Sequence, residues 1–383
     1  MKKIDQEGTA FATLLYSDTH KSADALYFGQ VQVPDPFIAF QAGKKKVAVV
    51  SALEFARVSK VSKFDVVLPL EDYTAKAKAR YNVDRPKTAQ IAQLLAEEFG
   101  IAGFRIPQDF PAGLALELIK NGVKVEVAEG SLFDHRNYKT DAEVAEIKRA
   151  NNVASAAFKE VERILTSATI KPGGLMYNNK LLTSEVLQRA IGVVCINNDA
   201  SPNDPIVAGG DQACDPHCRG SGAIKAGELI IVDIFPRMLE SGYHGDMTRT
   251  YLKGAASDAQ KKLVKTVQNG QKLALKAIKA GINGRSVYDI VKGHFDTNGY
   301  QTQKVNGVNV GFFHGLGHGL GLDVHEPPRV APVDVELKVG HVVTVEPGLY
   351  YPGLGGCRIE DVVRVTADGM EMLSKHAYRW QID

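Results

Sequence analysis

The sequence predicts an α+β protein in two parts, a small α/β unit followed by a larger part that mixes helices with β segments. Three observations carry this. β-like and helical stretches alternate through the first third of the 383 residues. A polar, charged stretch over 131–140 then interrupts them. Beyond it, the β segments hold acids in apolar surroundings. The boundary is placed at 135/136, giving domains 1–135 and 136–383.

In the first part, 37–41 and 46–50 flank Ala42-Gly43-Lys44-Lys45, a hairpin pattern. Asp84-Arg85-Pro86 opens a helical stretch to Phe99-Gly100, with Asp84 as cap and Gly100 as stop. Short β pieces at 103–106 and 123–127 enclose a helix over 113–120. In the second part a long amphipathic helix runs over 140–167, because Val144, Ile147, Ala150 and Val153 recur at helical spacing. Further helices are expected over 184–195, 256–280 and 284–298.

Composition removes several classes of function. The chain is 44% hydrophobic and 23% charged, enough apolar residue for a large core and unlike a disordered chain. With 46 basic against 44 acidic residues, the net charge of +2 gives no signal for nucleic acid or an anionic membrane. The basic run Lys44-Lys45-Lys46 lies at the hairpin turn and reads as a solvated tip. No apolar run of about 18 residues exists, so no membrane span is expected. The start, with Lys2 and Lys3, lacks the apolar core of a signal peptide. Four scattered cysteines, Cys195, Cys214, Cys218 and Cys357, fit a reducing compartment. The expected address is the cytoplasm.

Four segments carry chemistry. Asp233 interrupts an apolar strand at 229–235, which is costly unless the acid is paired or binds a cation. Asp246 enters a second β stretch, and Pro236 with Ser241-Gly242 supplies the turn between them. An antiparallel hairpin would thus bring the two carboxylates together. The run 312–328 threads His314, His318 and His325 with four glycines, which resist a helix and admit close backbone approach. Glu346 and Glu360 each stand in an apolar β context. Arg358 shares a strand face with Glu360, and Asp361 turns the other way. Cys214-Asp215-Pro216-His217-Cys218 lacks a second ligand pair and is not read as a zinc knuckle. His244, beside Asp246, is read as structural. Four carboxylates cannot crowd together as anions without compensation. Two divalent cations would supply it. An oxygen-rich set with one imidazole suits Mn²⁺ first, with Co²⁺, Fe²⁺ or Zn²⁺ as alternatives.

In order and in detail, these segments resemble the metal-binding motifs of the creatinase/prolidase/methionine-aminopeptidase superfamily. The resemblance spans 141–383 and implies a pita-bread catalytic domain, with a creatinase-like N-terminal domain before it. The run 314–326 looks most like prolidases and aminopeptidases P. By the resemblance, Asp233, Asp246, His318, Glu346 and Glu360 are the five ligands of two metals. Asp246 and Glu360 would bridge. Glu346 would take the proton of the attacking water, and His314 and His325 would bind substrate and steady the tetrahedral intermediate. His217 would be a further active-site histidine, and Arg358 would support the last glutamate. The sequence departs from the family at Phe235-Pro236-Arg237-Met238, a longer turn, and at Cys357.

The implied activity is hydrolysis of the bond preceding proline, by a prolidase-like enzyme acting on a proline-containing dipeptide or short peptide. Alternatives are an aminopeptidase P, then a lyase or amidinohydrolase on the same fold. A non-catalytic binding protein is disfavoured because all five ligands are present. The family also implies a homodimer.

Overall fold

A computed structural model describes residues 11–377 and 379–383. The N-terminal lysines considered above lie outside these residues. The chain divides into two compact units, Met1–Asp134 and His135–Asp383.

The first unit holds β1 (Ala12–Ser17), α1 (Ala23–Gly29), β2 (Phe37–Ala42), β3 (Lys45–Val50), α2 (Ala52–Val61) and β4 (Val66–Pro69). It continues with α3 (Leu70–Tyr81), α4 (Thr88–Phe99), β5 (Gly103–Ile106), α5 (Ala112–Lys120) and β6 (Lys124–Val127). The strands form one mixed sheet in the order β4-β3-β2-β1-β5-β6. Its central strands are apolar on both faces, as a sheet covered on two sides requires. Ile38, Phe40, Val47 and Val49 pack with residues of α3, α4 and α5. The alternate set Phe37, Ala39, Ala48 and Val50 packs with Phe28 of α1 and Val58 of α2. The expected hairpin is present, with register Ala39↔Ala48. Helix α4 starts later than Asp84 implied. Lys87 is its N-cap residue and receives the Gln90 side chain on its backbone N–H. Gly100 does end it, in the left-handed region at φ 65°.

The second unit opens with α6 (Asp141–Ser167), capped by Thr140 and Glu143 in a reciprocal box. Then come the meander β7 (Thr169–Lys171), β8 (Gly174–Tyr177) and β9 (Lys180–Leu181), α7 (Ser184–Ile196), β10 (Ala200–Ser201), β11 (Ile206–Gly209), β12 (Ile230–Ile234), β13 (Arg237–Met238) and β14 (Met247–Lys253). Helices α8 (Asp258–Ala277) and α9 (Gly284–Thr297) follow, then β15 (Gln303–Val305), β16 (Val308–Val310), β17 (Gly317–Gly319), β18 (Glu326–Val330) and β19 (Val342–Val345). The chain finishes with β20 (Gly348–Tyr351), β21 (Gly355–Arg358), β22 (Asp361–Val365), β23 (Met370–Met372) and β24 (Gln381–Ile382).

Two sheets organise this unit, β11-β12-β14-β24 and β18-β17-β19-β22-β23. Each is backed by helices, and side-chain alternation decides what lies on the other face. In β12, Ile230, Val232 and Ile234 pack with Ala154, Phe158 and Ile191 of α6 and α7. Asp233 therefore points away from those helices. In the second sheet Val343, Val345, Val363 and Val365 pack with Leu263, Val267, Val287 and Val291 of α8 and α9. Thr344, and the position of Glu346 two residues on, therefore face the other side. Burying each aliphatic side chain is worth about 1.5–3 kcal/mol. This two-sided partition is thus strongly held, and it fixes which face the acids occupy. No helix among the described residues is long and apolar enough to cross a membrane.

Gly245, just before Asp246, shows how tightly that face is seated. A Cβ there would lie 2.6 Å from backbone atoms of Ala150 and Asn151 in α6. Gly245→Ala is expected to cost about 1–3 kcal/mol, the usual penalty of overpacking. A lowered denaturant midpoint at unchanged slope would show this. An unchanged midpoint would mean that α6 gives way freely.

Candidate metal centre

The register of the first sheet sets two of the acids. Asp233 pairs with Thr248 and Ile234 with Met247 in the antiparallel β12–β14 ladder. Paired residues share a face, so Thr248, and Asp246 two residues before it, turn to the side of Asp233. The Asp246 backbone N–H donates to Asn151 Oδ1 at 3.0 Å, which ties this corner to α6.

The second sheet sets the rest. Val345 pairs with Asp361, so Glu346 and Glu360 stand just beyond the ladder, opposite one another. Glu360 Oε2 accepts from Thr248 Oγ1 at 2.7 Å, and its N–H donates to the Thr248 carbonyl at 3.0 Å. These two bonds join the sheets at the site. His318 lies on β17, where the register shifts between His318 and Gly319. Its N–H donates to Thr344 Oγ1 at 3.1 Å. A Cβ on Gly317 would sit 2.0 Å from the Thr344 carbonyl oxygen, so glycine is required for this approach.

One ligand atom from each of Asp246, His318 and Glu360 lies within 4.8 Å of the others, and all three residues are buried. His318 Nε2 is 3.4 Å from Glu346 Oε1 and 3.8 Å from Asp246 Oδ2. His318 Nδ1 is 3.1 Å from the Gly319 carbonyl. A carbonyl only accepts, so Nδ1 carries the proton and Nε2 offers its lone pair to the acids. Asp233 joins the group through Arg358, whose Nη2 donates to Asp233 Oδ2 at 2.9 Å. The other oxygen, Asp233 Oδ1, is buried without a hydrogen-bond partner. Such an atom is costly to leave bare, and a cation would satisfy it.

Electrostatics give the same picture. Burial, then the charges of Asp233 and Glu346, push the Asp246 carboxyl well above its usual range. Burial, then Asp246 and Glu346, do the same to Glu360. Burial raises Glu346 to about 7 against the opposing pull of Arg358. Burial, then His325, lowers His318 to about 3, so this imidazole is neutral at physiological pH. Crowded acids that resist ionisation around a neutral imidazole are a donor set short of positive charge. The residues present therefore fit divalent metal ions.

All five acid and imidazole groups line one cavity of about 750 Å³, with His217, His314 and His325. His325 is exposed there and meets the His318 ring edge-on, centroids 4.3 Å apart. His217 is exposed, and its N–H donates to Asp215 Oδ1 at 3.1 Å. His314 is engaged at both nitrogens. Nδ1 lies 2.7 Å from the Gly315 carbonyl, and Nε2 lies 2.8 Å from the Tyr350 hydroxyl. Arg358 Nη1 donates to that same hydroxyl at 3.1 Å. A hydrogen-bonded chain thus runs from His314 through Tyr350 and Arg358 to Asp233. Arg358 was expected to support Glu360. Its guanidinium hydrogen-bonds Asp233, approaches at 3.3 Å the Thr248 Oγ1 that donates to Glu360, and by its charge opposes the upward shift of Glu360.

The neighbouring acids separate cleanly. Asp361 turns to the opposite side, held by Arg249 Nη2 at 2.8 Å and Ser374 Oγ at 2.7 Å. His244 is buried with its backbone N–H on the Gly321 carbonyl at 2.9 Å, a structural role. Sequence reasoning missed Tyr350 and also Arg329, a cation on β18 that lines the cavity beside His325. The only signal for Arg329 is strand phase, immediately after the proline pair.

A profile of metallopeptidase family M24 matches residues 145–367. The chain belongs to metallopeptidase family M24. Among its relatives is the Xaa-Pro dipeptidase of Pyrococcus horikoshii, 30% identical over 304 residues, or 78% of this chain and 80% of that one. The Xaa-Pro dipeptidase of Pyrococcus furiosus is 31% identical over 274 residues, covering 68% and 76% of the two chains. The crystal structure of the Pyrococcus horikoshii prolidase superposes with a TM-score of 0.78 at 25% identity, covering 97% of this chain and 95% of that one. An X-Pro aminopeptidase from Thermotoga maritima shares the fold, with a TM-score of 0.80 at 22% identity and 97% of each chain covered. The M24 chain therefore has the pita-bread fold, within the α+β class, and is a metallopeptidase whose family uses divalent metal ions.

The pH dependence of metal uptake follows from Glu346. Its carboxyl is raised from 4.5 to about 7. At pH 6 it is mostly protonated and a cation must displace that proton; at pH 8 the proton is largely gone. Calorimetric titration of Mn²⁺ into metal-free protein, in buffers of different ionisation enthalpy, should show more protons released at pH 6 than at pH 8. Equal release at both would place the Glu346 carboxyl back in the ordinary range.

Proposed function

We propose that this M24 chain is a dinuclear metal-dependent Xaa-Pro dipeptidase, a prolidase-like enzyme that cleaves the bond preceding proline. The observation that carries this reading is the convergence on one cavity of four carboxylates, a neutral His318 and, at the same wall, Arg329. Asp233, Asp246, His318, Glu346 and Glu360 would hold two divalent ions, with Mn²⁺ the first choice for so oxygen-rich a set. When bound, such ions polarise a carbonyl and lower the pKa of water, which makes hydroxide available near neutral pH.

The protein groups divide the remaining work. Glu346 takes the proton of the attacking water. Its side chain is 18% exposed, against 6% for Asp246, so it stands more open to the cavity. That proton then passes to the proline nitrogen as the C–N bond breaks. His325 faces the cavity and supplies a hydrogen bond to the oxyanion as the carbonyl carbon becomes tetrahedral. His314, pinned by Gly315 and Tyr350, shapes the wall beside it. His217 closes the rim. Arg358 holds Asp233 in place and stays out of the reaction.

Arg329 gives the dipeptide preference a physical basis. A dipeptide carries a free carboxylate one residue beyond the cleaved bond, and a guanidinium binds such a group in a forked geometry. Apolar walls from Ile206, Phe235 and Phe313 remain for the side chains. The relatives named Xaa-Pro dipeptidase support the same substrate class. The size of the cavity favours a second reading, Xaa-Pro aminopeptidase action on longer peptides. In this proposal 136–383 is the catalytic domain, 1–135 is a creatinase-like domain, and the enzyme is a cytoplasmic homodimer.

Purified protein stripped of metal and resupplied with Mn²⁺ or Co²⁺ should cleave Ala-Pro, and leave Ala-Pro-Ala and Ala-Ala largely intact. Asp246→Ala or His318→Ala should abolish turnover. Arg329→Met should raise KM for Ala-Pro by about tenfold or more, the scale of one lost charged hydrogen bond. Cleavage of the tripeptide at Ala-Pro would move the assignment to an aminopeptidase. No cleavage of any peptide by metal-loaded protein would sink the peptidase reading.

A further inference from the structure

The stretch over 131–140, whose composition marks it as a polar connector, carries two cations that are withdrawn from water. Lys139 is 3% exposed, and the Arg136 side chain is 10% exposed. Both converge on Glu326, which is buried. Lys139 Nζ pairs with Glu326 Oε1. Arg136 Nη2 lies 3.0 Å from Glu326 Oε2 and 3.0 Å from Asp323 Oδ2. The cations therefore grip both ends of the segment 323–326.

His325 stands inside that segment. Glu326 is buried and His325 beside it is exposed at the cavity, so adjacent side chains point to opposite sides. Pinning Glu326 from behind sets the direction of His325 in front. The approach has no slack. A Cβ on Gly321 would fall 2.6 Å from Glu326 Oε1 and 3.0 Å from Lys139 Cε. The Gly321 carbonyl is held in turn by the backbone N–H of His244, two residues from Asp246.

A buried ion pair is poor evidence for stability, since well-packed apolar groups often serve as well. Its advantage is direction. Two cations on one carboxylate define its position far more narrowly than packing alone. We propose that Arg136 and Lys139 are positioning residues for hydrolysis, acting through Glu326 to set His325 against His318 and the bound peptide. The proposal rests on the role given to His325 above. It assigns a function to residues outside every segment that carries the metal ligands.

A double-mutant cycle tests it in metal-loaded, full-length protein. Wild type, Lys139→Met, His325→Ala and the double variant are compared for kcat and KM on Ala-Pro, for bound metal and for melting temperature. Lys139→Met should lower kcat by about tenfold or more, since a misplacement near 1 Å can cost about a hundredfold. KM and metal content should stay near wild type. The loss should disappear in the His325→Ala background, because the group being positioned is gone. Lys139→Arg, which keeps the charge, should recover most of kcat. If Lys139→Met does not fold, Arg136→Met enters the same cycle. Equal fold-losses in both backgrounds, or an unchanged kcat, overturn the proposal while leaving the peptidase reading intact. A wild type inactive on every peptide overturns both.

Discussion

Four carboxylates, Asp233, Asp246, Glu346 and Glu360, share a cavity with the buried guanidinium of Arg358. Much of the second unit can be understood as a response to that crowding. Arg358 spends its donors on Asp233, Tyr350 and Thr248, so it fixes one acid and leaves three raised. Helices α6 and α7 and helices α8 and α9 take up the apolar faces of the two sheets. The polar faces are thereby left for the acids. Asp361 shows the alternative outcome. One residue past Glu360, it points the other way, finds Arg249, Gln271 and Ser374, and becomes structural. Two neighbouring acids thus acquire opposite fates from strand phase alone.

The elements most legible in the sequence were those where local chemistry conflicts with local pattern. Asp233 in an apolar strand and three histidines among glycines signal cost without visible return, and such cost marks a site. Helix α6 was legible from its period, within a residue at its start. The start of α4 was not. Asp84 looked like a cap, but Pro86 intervenes and Gln90 caps Lys87. Lys139 was illegible for a different reason. Composition describes how a stretch meets water on average, and it cannot tell that one lysine has a buried carboxylate 187 residues away. Arg329 was hidden likewise, because its place on the cavity depends on the β17–β18 register and the shift after His318.

The histidines illustrate how environment divides one side-chain type into several functions. His318, at about 3, is kept neutral and directed by a carbonyl at Nδ1, as the proposed ligand role requires. His314, at about 4, is equally neutral but is saturated by Gly315 and Tyr350, which suits a fixed wall. His325 is lowered by desolvation, then by Arg329 and His217, yet stays exposed at the cavity. It therefore enters the proposed reaction as a neutral donor and not as a fixed charge. Position relative to the acids, more than residue identity, separates the three proposed roles of ligand, wall and donor.

Charge is also distributed along the cavity, acids with His318 at the metal centre and Arg329 on the adjoining wall. A free dipeptide is a zwitterion, and its two ends would find complementary partners only in one orientation. Its proline makes the fit cheaper. The ring fixes φ and removes the N–H that a site would otherwise have to satisfy, and it restricts the preceding residue to extended geometry. A stiff substrate with charged ends loses little entropy on binding, so a few well-placed groups suffice to orient it. The demand then falls on the precision of those groups. The ion pairs that Arg136 and Lys139 make behind His325 bear on that precision.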